Sequence, residues 1–258
     1  MNTLPGKFVW FEHVSSDTAK ARRFYEPLFG WHTESMPMGD TRYPMILSGN
    51  EGIGGYVTEA AVDRPHWLGY VSVDDVDTSY RAALSAGARS IEAPKDFPPV
   101  GRGATVADPS GAVFALWRST DADRADTPQT PAGGWCWNEL WTRDDIGALA
   151  FYQGLLGYTH DTMDMGPAGT YYVLKKNGVS RAGLMRSTQP KAPSMWLPYV
   201  AVDDCDATSS KVRHLGGQVL SAPQDIPGVG RYAVFADPVG AAIAVIKPMP
   251  PTEGGASD

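Results

Sequence analysis

The sequence of 258 residues has little cysteine, no run of basic residues and no long apolar stretch. Its two cysteines, Cys136 and Cys205, are too few for a disulfide framework. The 22 Lys and Arg against 29 Asp and Glu give a net charge of −7, whereas a nucleic-acid interface needs concentrated positive charge. No apolar stretch approaches the roughly 18 residues of a membrane helix. We therefore expect neither a nucleic-acid nor a membrane partner.

The N-terminal segment MNTLPGKFVW also lacks the apolar centre of a signal peptide. Together with the low cysteine content, this predicts a cytoplasmic protein. A composition of 43% hydrophobic and 20% charged residues is typical of globular proteins and excludes disorder or coiled coil as a description of the whole chain. The length fits one large domain or two small ones.

An internal repeat decides between these two possibilities. Four blocks of the first half recur in the same order in the second half, at a distance of 127 to 129 residues. The longest block, APKDFPPVGRGATVADPSGAVFALW, shares 14 of 25 residues with its copy. The four pairs are 8–17 with 135–144, 24–31 with 151–158, 66–77 with 195–206 and 93–117 with 222–246.

The repeat predicts two homologous domains, 1–119 and 135–248. Residues 120–134 between them are rich in Asp, Thr, Pro and Gly, with too little apolar surface to pack well, and are interpreted as a linker. The tail 249–258 has a similar composition, and we expect it to be frayed.

Each domain shows the same order of predicted elements. A strand over 7–14 is followed by a helix that Asp17 caps and Gly30 ends. Three short strands follow, and a strand over 67–73 and a helix from Asp75 then begin the same pattern again. The predicted order is therefore βαβββ, twice in each domain and four times in the chain.

Three motifs, each present twice, give this pattern a family resemblance. They are D-x(6)-F-Y-x(3)-[FL]-G-[WY] at 17–31 and 144–158, V-D-D-x-D at 73–77 and 202–206, and D-P-x-G at 108–111 and 237–240. The chain resembles the vicinal oxygen chelate superfamily of glyoxalases, bleomycin resistance proteins and extradiol dioxygenases, and most of all its tandem two-domain, glyoxalase-like subgroup. The resemblance implies an α+β fold with two tandem domains, each built from two βαβββ modules that form a half-open mixed β-barrel.

The resemblance also implies a divalent metal on the concave face, held by His, Glu or Gln side chains. The corresponding positions are Trp10 and Trp137 on the first strand, Leu68 and Leu197 (or, one residue earlier, Trp67 and Trp196) on the fifth strand, and Ala115 and Ala244 on the last strand. None of these side chains ligates Zn²⁺, Mn²⁺ or Fe²⁺. We therefore expect no metal and no cofactor, and an apolar wall that contacts a ligand instead.

Glu12 and Glu139 lie two residues after Trp10 and Trp137, so strand alternation puts each carboxylate beside an indole on one face. If that face lines the concave side, each domain has a carboxylate in its cavity. The alternative is that the tryptophans belong to the core and the glutamates pair with arginines, because charged groups are rarely buried alone.

His66 shares strand parity with Leu68 and could approach Glu12 across the sheet. Such a pair would serve as a general base or hold a non-standard metal. The alternative is a surface or satisfied core histidine. Because the second domain has Met195 at this position, any such pair exists in one domain only.

Arg102 and Arg231 occupy matched V-G-R segments on predicted loops. They either hold an anionic ligand or form salt bridges within the fold. Trp135, Trp137 and Trp141 alternate along one predicted strand, which places all three on one face, either as an aromatic ligand wall or as core.

These observations favour a monomeric protein, with a dimer as the alternative, that binds a small aromatic or secondary-metabolite molecule without metal. The principal alternative is a glyoxalase-like lyase, isomerase or hydroxylase in which Glu12 or Glu139, with or without His66, acts as general base. A third possibility is that one domain has lost its cavity and only pairs with the other, although the matched Trp, Glu and Arg residues favour two similar cavities.

Overall fold

The computed structural model describes residues 3–39, 41–189 and 192–249, which form 16 strands, four α-helices and one 3₁₀ turn. The first domain contains β1 (Phe8–Ser15), α1 (Thr18–Phe29), β2 (His32–Met38), β3 (Thr41–Ser48), β4 (Glu51–Thr58), β5 (His66–Ser72), α2 (Val76–Ser85), β6 (Arg89–Phe97), β7 (Gly101–Ala107) and β8 (Val113–Ser119). The second domain contains β9 (Trp135–Thr142), α3 (Asp145–Leu156), β10 (Thr159–Asp164), the 3₁₀ turn Gly166–Ala168, β11 (Thr170–Lys176), β12 (Val179–Arg186), β13 (Met195–Ala201), α4 (Cys205–His214), β14 (Gln218–Ile226), β15 (Gly230–Ala236) and β16 (Ala242–Pro248).

Helices α1 and α2 begin at the capping residues that the sequence predicts, and α1 also ends at the predicted glycine. The Asp17 carboxylate accepts the backbone N–H of Lys20 at 2.9 Å, and α1 ends at Gly30 in the left-handed conformation, which glycine adopts without steric cost. Asp75 likewise caps α2 by accepting from the N–H of Thr78 at 2.7 Å. No helix in the described ranges is both long and apolar enough to span a membrane.

Each domain forms one curled, eight-stranded mixed sheet, so the predicted α+β fold with two βαβββ modules per domain is confirmed. The strand order is β2-β3-β4-β1-β5-β8-β7-β6, and the second sheet repeats it as β10-β11-β12-β9-β13-β16-β15-β14. The two modules of a domain meet where β1 and β5 pair antiparallel, while β4 and β8 pair parallel to these central strands. The concave side of each sheet is called its cup below.

The convex sides of the two sheets face each other, and helices α1 and α3 lie between them. Each of these helices contacts strands of its own sheet, and its apolar residues also pack with residues of the other sheet. The buried members on α1 and the second sheet are Ala21, Phe24, Tyr25, Leu28, Val200, Ala233, Phe235, Ile243 and Val245. The two domains therefore share their hydrophobic core.

Trp67 and Trp196 belong to this shared core, so the prediction that either could line a cup is wrong. Both are nearly fully buried on the convex side, at 2% and 3% exposure. The indole of Trp67 donates to the hydroxyl of Tyr25, and that of Trp196 to the hydroxyl of Tyr152, each at 2.9 Å. Their neighbours Leu68 and Leu197 point the opposite way, into the cups.

Trp135 also faces the core, contrary to the prediction that it shares a face with Trp137 and Trp141. The pairing of β9 with β13 shifts register between Tyr199 and Val200, which inserts one extra residue and inverts the alternation. The Trp135 ring consequently packs 4.6 Å from Phe11, centroid to centroid.

Buried carboxylates link the domains through the D-P-x-G turns. One Asp237 oxygen accepts the N–H groups of residues 239, 240 and 241, and the other lies 2.7 Å from Nε2 of His13 in the first domain. In the mirrored position, Asp108 accepts from the Tyr152 hydroxyl at 3.0 Å, and Leu140 stands where the first domain has His13.

The connecting segment is held by polar contacts rather than by apolar packing. Asp123, almost fully buried, accepts hydrogen bonds at 2.6 Å from both the Leu4 N–H and the Ser72 hydroxyl. The Gly133 carbonyl accepts from the Trp31 indole at 2.7 Å. Except for Met249, the predicted frayed tail 249–258 lies outside the described residues.

Candidate functional site: a carboxylate between two tyrosines

The cup of the first domain opens into a cavity of about 2150 Å³ that continues along the connecting segment to the start of β9. Most side chains at the centre of this cavity come from strands β1, β5 and β8. Trp10, Glu12 and Val14 come from β1, and apolar groups from β5 and β8 surround them. The other side chains at the centre are Tyr43, Val57, Leu68, Tyr70, Val113, Ala115 and Trp117.

Glu12 is held at the floor of this cup by two tyrosine hydroxyls. Tyr43 donates to Oε1 at 2.7 Å and Tyr70 donates to Oε2 at 2.5 Å. The indole N–H of Trp10 donates in turn to the Tyr43 hydroxyl at 2.9 Å. Each carboxylate oxygen therefore has one tyrosine donor and keeps acceptor capacity toward the cavity.

A glycine on the neighbouring strand makes this arrangement possible. Gly55 pairs with Glu12 across β1 and β4, and a Cβ at Gly55 would lie 1.9 Å from the Tyr43 hydroxyl oxygen. Gly183 has the same relation to Tyr171 in the second domain. Only glycine leaves room for the hydroxyl at either position.

Burial raises the pKa of the Glu12 carboxyl above its ordinary value of 4.5, and the hydrogen bonds from Tyr70 and Tyr43 oppose this change. Burial and the adjacent carboxylate raise the pKa of both tyrosines far above 10, so the hydroxyls stay protonated. The floor of the cup is therefore a fixed acceptor that favours N–H or O–H donors on a ligand.

The cup of the second domain repeats the cluster, and the Trp141 side chain fills the place beside its carboxylate. Glu139 is only 6% exposed and accepts from the Tyr199 hydroxyl at 3.1 Å and from the indole of Trp141. The Trp137 indole donates to the Tyr171 hydroxyl at 2.8 Å, as Trp10 does to Tyr43. Other side chains of this apolar cluster include Met195, Leu197, Tyr232, Val234, Ala244 and Ile246.

His66 lines the first cup, but it does not pair with Glu12. It stands opposite Val14 in the sheet, and its Nδ1 lies 2.9 Å from the Arg64 carbonyl. Burial lowers the pKa of its imidazole, which favours the neutral ring. The predicted Glu12–His66 pair is therefore replaced by the Glu12–tyrosine cluster.

Arg102 and Arg231 do not reach the cups, so the prediction that they hold an anionic ligand there is wrong. On β7, residue parity turns Arg102 toward α2, where it binds both oxygens of Asp77 at 2.7 and 2.9 Å. Arg231 binds Asp206 in the same way at 2.7 and 3.0 Å. The alternative of salt bridges within the fold is the one observed.

The donor set of the cups does not fit the divalent metal that the family resemblance implies. Trp10, Leu68 and Ala115 offer no ligand atom, and both oxygens of Glu12 accept from tyrosines. Within the described ranges, no group of three or more His, Cys, Asp or Glu residues could hold a metal ion.

The sequence reasoning missed the tyrosines, although the repeat carried a signal for them. Tyr70 and Tyr199 occupy the same place in the blocks HWLGYV and MWLPYV, with the parity of Leu68 and Leu197. Tyr43 and Tyr171 lie outside the four matched blocks, so only strand pairing reveals their role.

Glu139 makes the stability of the fold depend on pH in a defined direction. Burial raises the pKa of the Glu139 carboxyl above 4.5, so the folded state takes up its proton at a higher pH than the unfolded state. The stability of the wild type relative to Glu139→Gln should therefore increase as the pH falls from 7 toward 4.5. Urea unfolding of both proteins across this range measures the difference, and a difference that does not vary with pH would contradict the prediction.

Comparisons with known proteins agree with this architecture. A family model described as Glyoxalase/Bleomycin resistance protein/Dioxygenase superfamily matches residues 137–245, and one described as Glyoxalase-like domain matches residues 10–117. Among solved structures, the Mn(II)-bound glyoxalase from Novosphingobium aromaticivorans superposes with a TM-score of 0.65 at 14% identity, covering 94% of this chain and 82% of that one.

Several relatives match nearly the whole chain. The protein named "Putative glyoxylase CFP32" of Mycobacterium tuberculosis is 36% identical over 247 residues, covering 93% of this chain and 94% of that protein. "Anthracycline biosynthesis protein DnrV" of Streptomyces peucetius is 32% identical over 289 residues, covering 98% of each. The chain therefore belongs to the glyoxalase/bleomycin resistance protein/dioxygenase superfamily, with two tandem glyoxalase-like domains.

Proposed function

We propose that this chain is a cytoplasmic, monomeric protein that binds a planar, donor-bearing aromatic molecule in the cup of its first domain without a metal. The observation that carries the proposal is the Glu12 carboxylate, fixed by Tyr43 and Tyr70 at the floor of an open and largely apolar cup. Flat apolar walls with a few placed polar groups are typical of sites for small aromatic ligands.

The relatives support an aromatic secondary metabolite as the ligand. DnrV of Streptomyces peucetius and DauV of a Streptomyces strain are both named as anthracycline biosynthesis proteins, at 32% identity over nearly the whole chain. An anthracycline combines a planar hydroxylated ring system with an amine, and both groups offer donors to a buried carboxylate. A monomer is supported by the shared core, because each domain already covers the other's convex face.

Titration with doxorubicin, followed by calorimetry, tests the proposal. We expect binding by the wild type and about a tenfold or greater loss of affinity in Glu12→Gln, because a charge-assisted acceptor contributes roughly 1.5–3 kcal/mol. Glu139→Gln is the matched control: it makes the same change in the second cup and should leave the affinity unaltered.

Absence of binding by the wild-type protein to any planar hydroxylated or amine-bearing probe would contradict the proposal. An equal loss of affinity in Glu12→Gln and Glu139→Gln would mean that the substitutions act through folding and not through contact with the ligand. The thermal midpoint of each variant is therefore measured as well.

A second candidate function is enzymatic, and the raised pKa of the Glu12 carboxyl favours it. A carboxylate in an apolar cup is a stronger base than one in water, and it could abstract a proton next to a carbonyl in a lyase, isomerase or hydroxylase reaction. The counterpart Glu139 is only 6% exposed, whereas Glu12 is partly exposed, so Glu12 is the more accessible of the two carboxylates to a substrate.

Deuterium exchange separates the two functions. Doxorubicin has exchangeable C–H groups next to its side-chain ketone, and proton NMR in D₂O follows their loss. Exchange faster than the solvent background, abolished in Glu12→Gln with binding largely retained, would support catalysis. Binding without exchange would support the binding function.

A further inference from the structure

The second cup holds one of the protein's own planar rings against its carboxylate. The indole N–H of Trp141 donates to Oε1 of Glu139, which also accepts from the Tyr199 hydroxyl at 3.1 Å. The Trp141 ring packs among the apolar side chains of the cup, including Leu197 and Ala244. The second cup thus shows which group its carboxylate accepts: a flat aromatic ring with an N–H at its edge.

The first cup has the same floor and lacks this ring. Val14 lies two residues after Glu12, as Trp141 lies two residues after Glu139, and both stand opposite the first residue of the fifth strand of their domain. Val14 packs against Leu68 and Ala115, which match Leu197 and Ala244. Glu12, Val14 and Leu68 line the cavity of the first cup, so the cavity wall carries an isopropyl group where the second cup has an indole.

A second difference between the cups lies on the last two strands of each domain, β7 and β8 in the first domain and β15 and β16 in the second. The cross-strand pair Tyr232–Ile246 of the second cup is replaced by Gly103–Trp117 in the first. A Cβ at Gly103 would lie 2.9 Å from the Trp117 ring, so that indole occupies the room that Tyr232 fills in the second cup. The large side chain moves to the opposite strand of the pair, so an aromatic ring stands at this place in both cups.

We propose that Trp141 is an intramolecular counterpart of the ligand, so that the first cup binds a planar ring with an N–H or O–H donor directed at Glu12, in the position that Trp141 takes against Glu139. The chain then has one ligand site, in the first domain. This inference rests on the proposed function and adds the ligand's orientation, its edge chemistry and the number of sites.

The acceptor capacity of Glu12 supports this orientation. Tyr43 donates to one oxygen of Glu12 and Tyr70 donates to the other. Tyr171 and Tyr199 are the corresponding donors to Glu139 in the second cup. Trp141 adds a further donor to Glu139. Glu12 has no corresponding donor from position 14, so the donor must come from the ligand.

Calorimetric titration of four proteins with indole and with doxorubicin tests the proposal. We expect one site in the wild type, and a loss of affinity of about a hundredfold or more in Val14→Trp, where the indole fills the cup. Trp141→Ala should gain a second site for indole, and indole should raise its thermal midpoint more than that of the wild type. Leu84→Trp, an added indole on the exposed side of α2, is the control and should bind as the wild type does.

The results distinguish failure of the inference from failure of the proposed function. No binding of either probe by the wild type overturns the proposed function. Two sites in the wild type, or wild-type affinity in a folded Val14→Trp, overturns the inference and leaves the proposed function standing. If Trp141→Ala does not fold, Val14→Trp still decides, because the matched position of the other cup already accommodates this side chain.

Discussion

Replacing Asp237 with alanine is expected to lower the free energy of unfolding by about 3–5 kcal/mol. The carboxylate accepts three backbone N–H groups in its turn and lies 2.7 Å from Nε2 of His13, all in the buried region between the domains. Alanine removes every one of these acceptor contacts, and a buried donor without a partner is costly. Urea unfolding of the intact chain measures the effect.

A double-mutant cycle with His13→Leu identifies the part of this loss that comes from the contact between domains. Leucine suits the site because the buried Leu140 holds the matched position of the second domain. We expect Asp237→Ala to cost less in the His13→Leu background, by about 1–3 kcal/mol. Equal costs in both backgrounds would show that the turn alone accounts for the loss. Alanine at the exposed Asp121 is the control and should change the stability by less than about 0.5 kcal/mol.

Trp67→Ala is expected to destabilise the chain by a similar amount, about 3–5 kcal/mol. The ring is 2% exposed and contacts aromatic side chains of both domains, with its centroid 5.1 Å from that of Tyr25 and 5.0 Å from that of Trp135. Its removal leaves a cavity in the shared core and deprives the Tyr25 hydroxyl of its indole donor. Differential scanning calorimetry should show one transition at a lower temperature, because both domains lose the same contact.

Trp117→Ala is the matched control for this prediction. Its indole lies half-buried in the first cup against Tyr70 and Phe97, outside the shared core. We expect a smaller loss of stability and a larger loss of doxorubicin affinity than in Trp67→Ala. The opposite order would mean that the cup, rather than the region between the domains, is the main apolar core of the first domain.

The repeat made the fold predictable because each helix and strand could be predicted from two related sequences. Asp17 and Asp144 both cap helices, and the motifs around them fix the order βαβββ. Side-chain direction was harder to predict, because one extra residue inverts it. The register shift beside Tyr199 directs Trp135 into the core. On the fifth strand, the sequence left open whether Leu68 or Trp67 faces the cup, and these neighbours point to opposite sides of the sheet.

The candidate site was predictable to the same extent. The sequence placed Trp10 and Glu12 on one face, and the structure finds both in the first cup. It could not show that Tyr43 reaches Glu12, because that contact depends on sheet pairing and on the absence of a side chain at Gly55. The repeat also indicated that Arg102 and Arg231 have the same role in the two domains, but it could not show which role. The structure shows that each forms a salt bridge with an aspartate of a preceding helix, Asp77 on α2 and Asp206 on α4 respectively.

The packing of α1 and α3 between the two convex faces also bears on how such a chain can change over generations. A substitution on a convex face affects both halves at once, since α1 and α3 each pack with residues of both sheets. A substitution inside one cup affects that cup alone. A duplicated chain of this kind is therefore free to lose one pocket and reshape the other for a new compound, while the surface that joins the copies stays under selection as a unit.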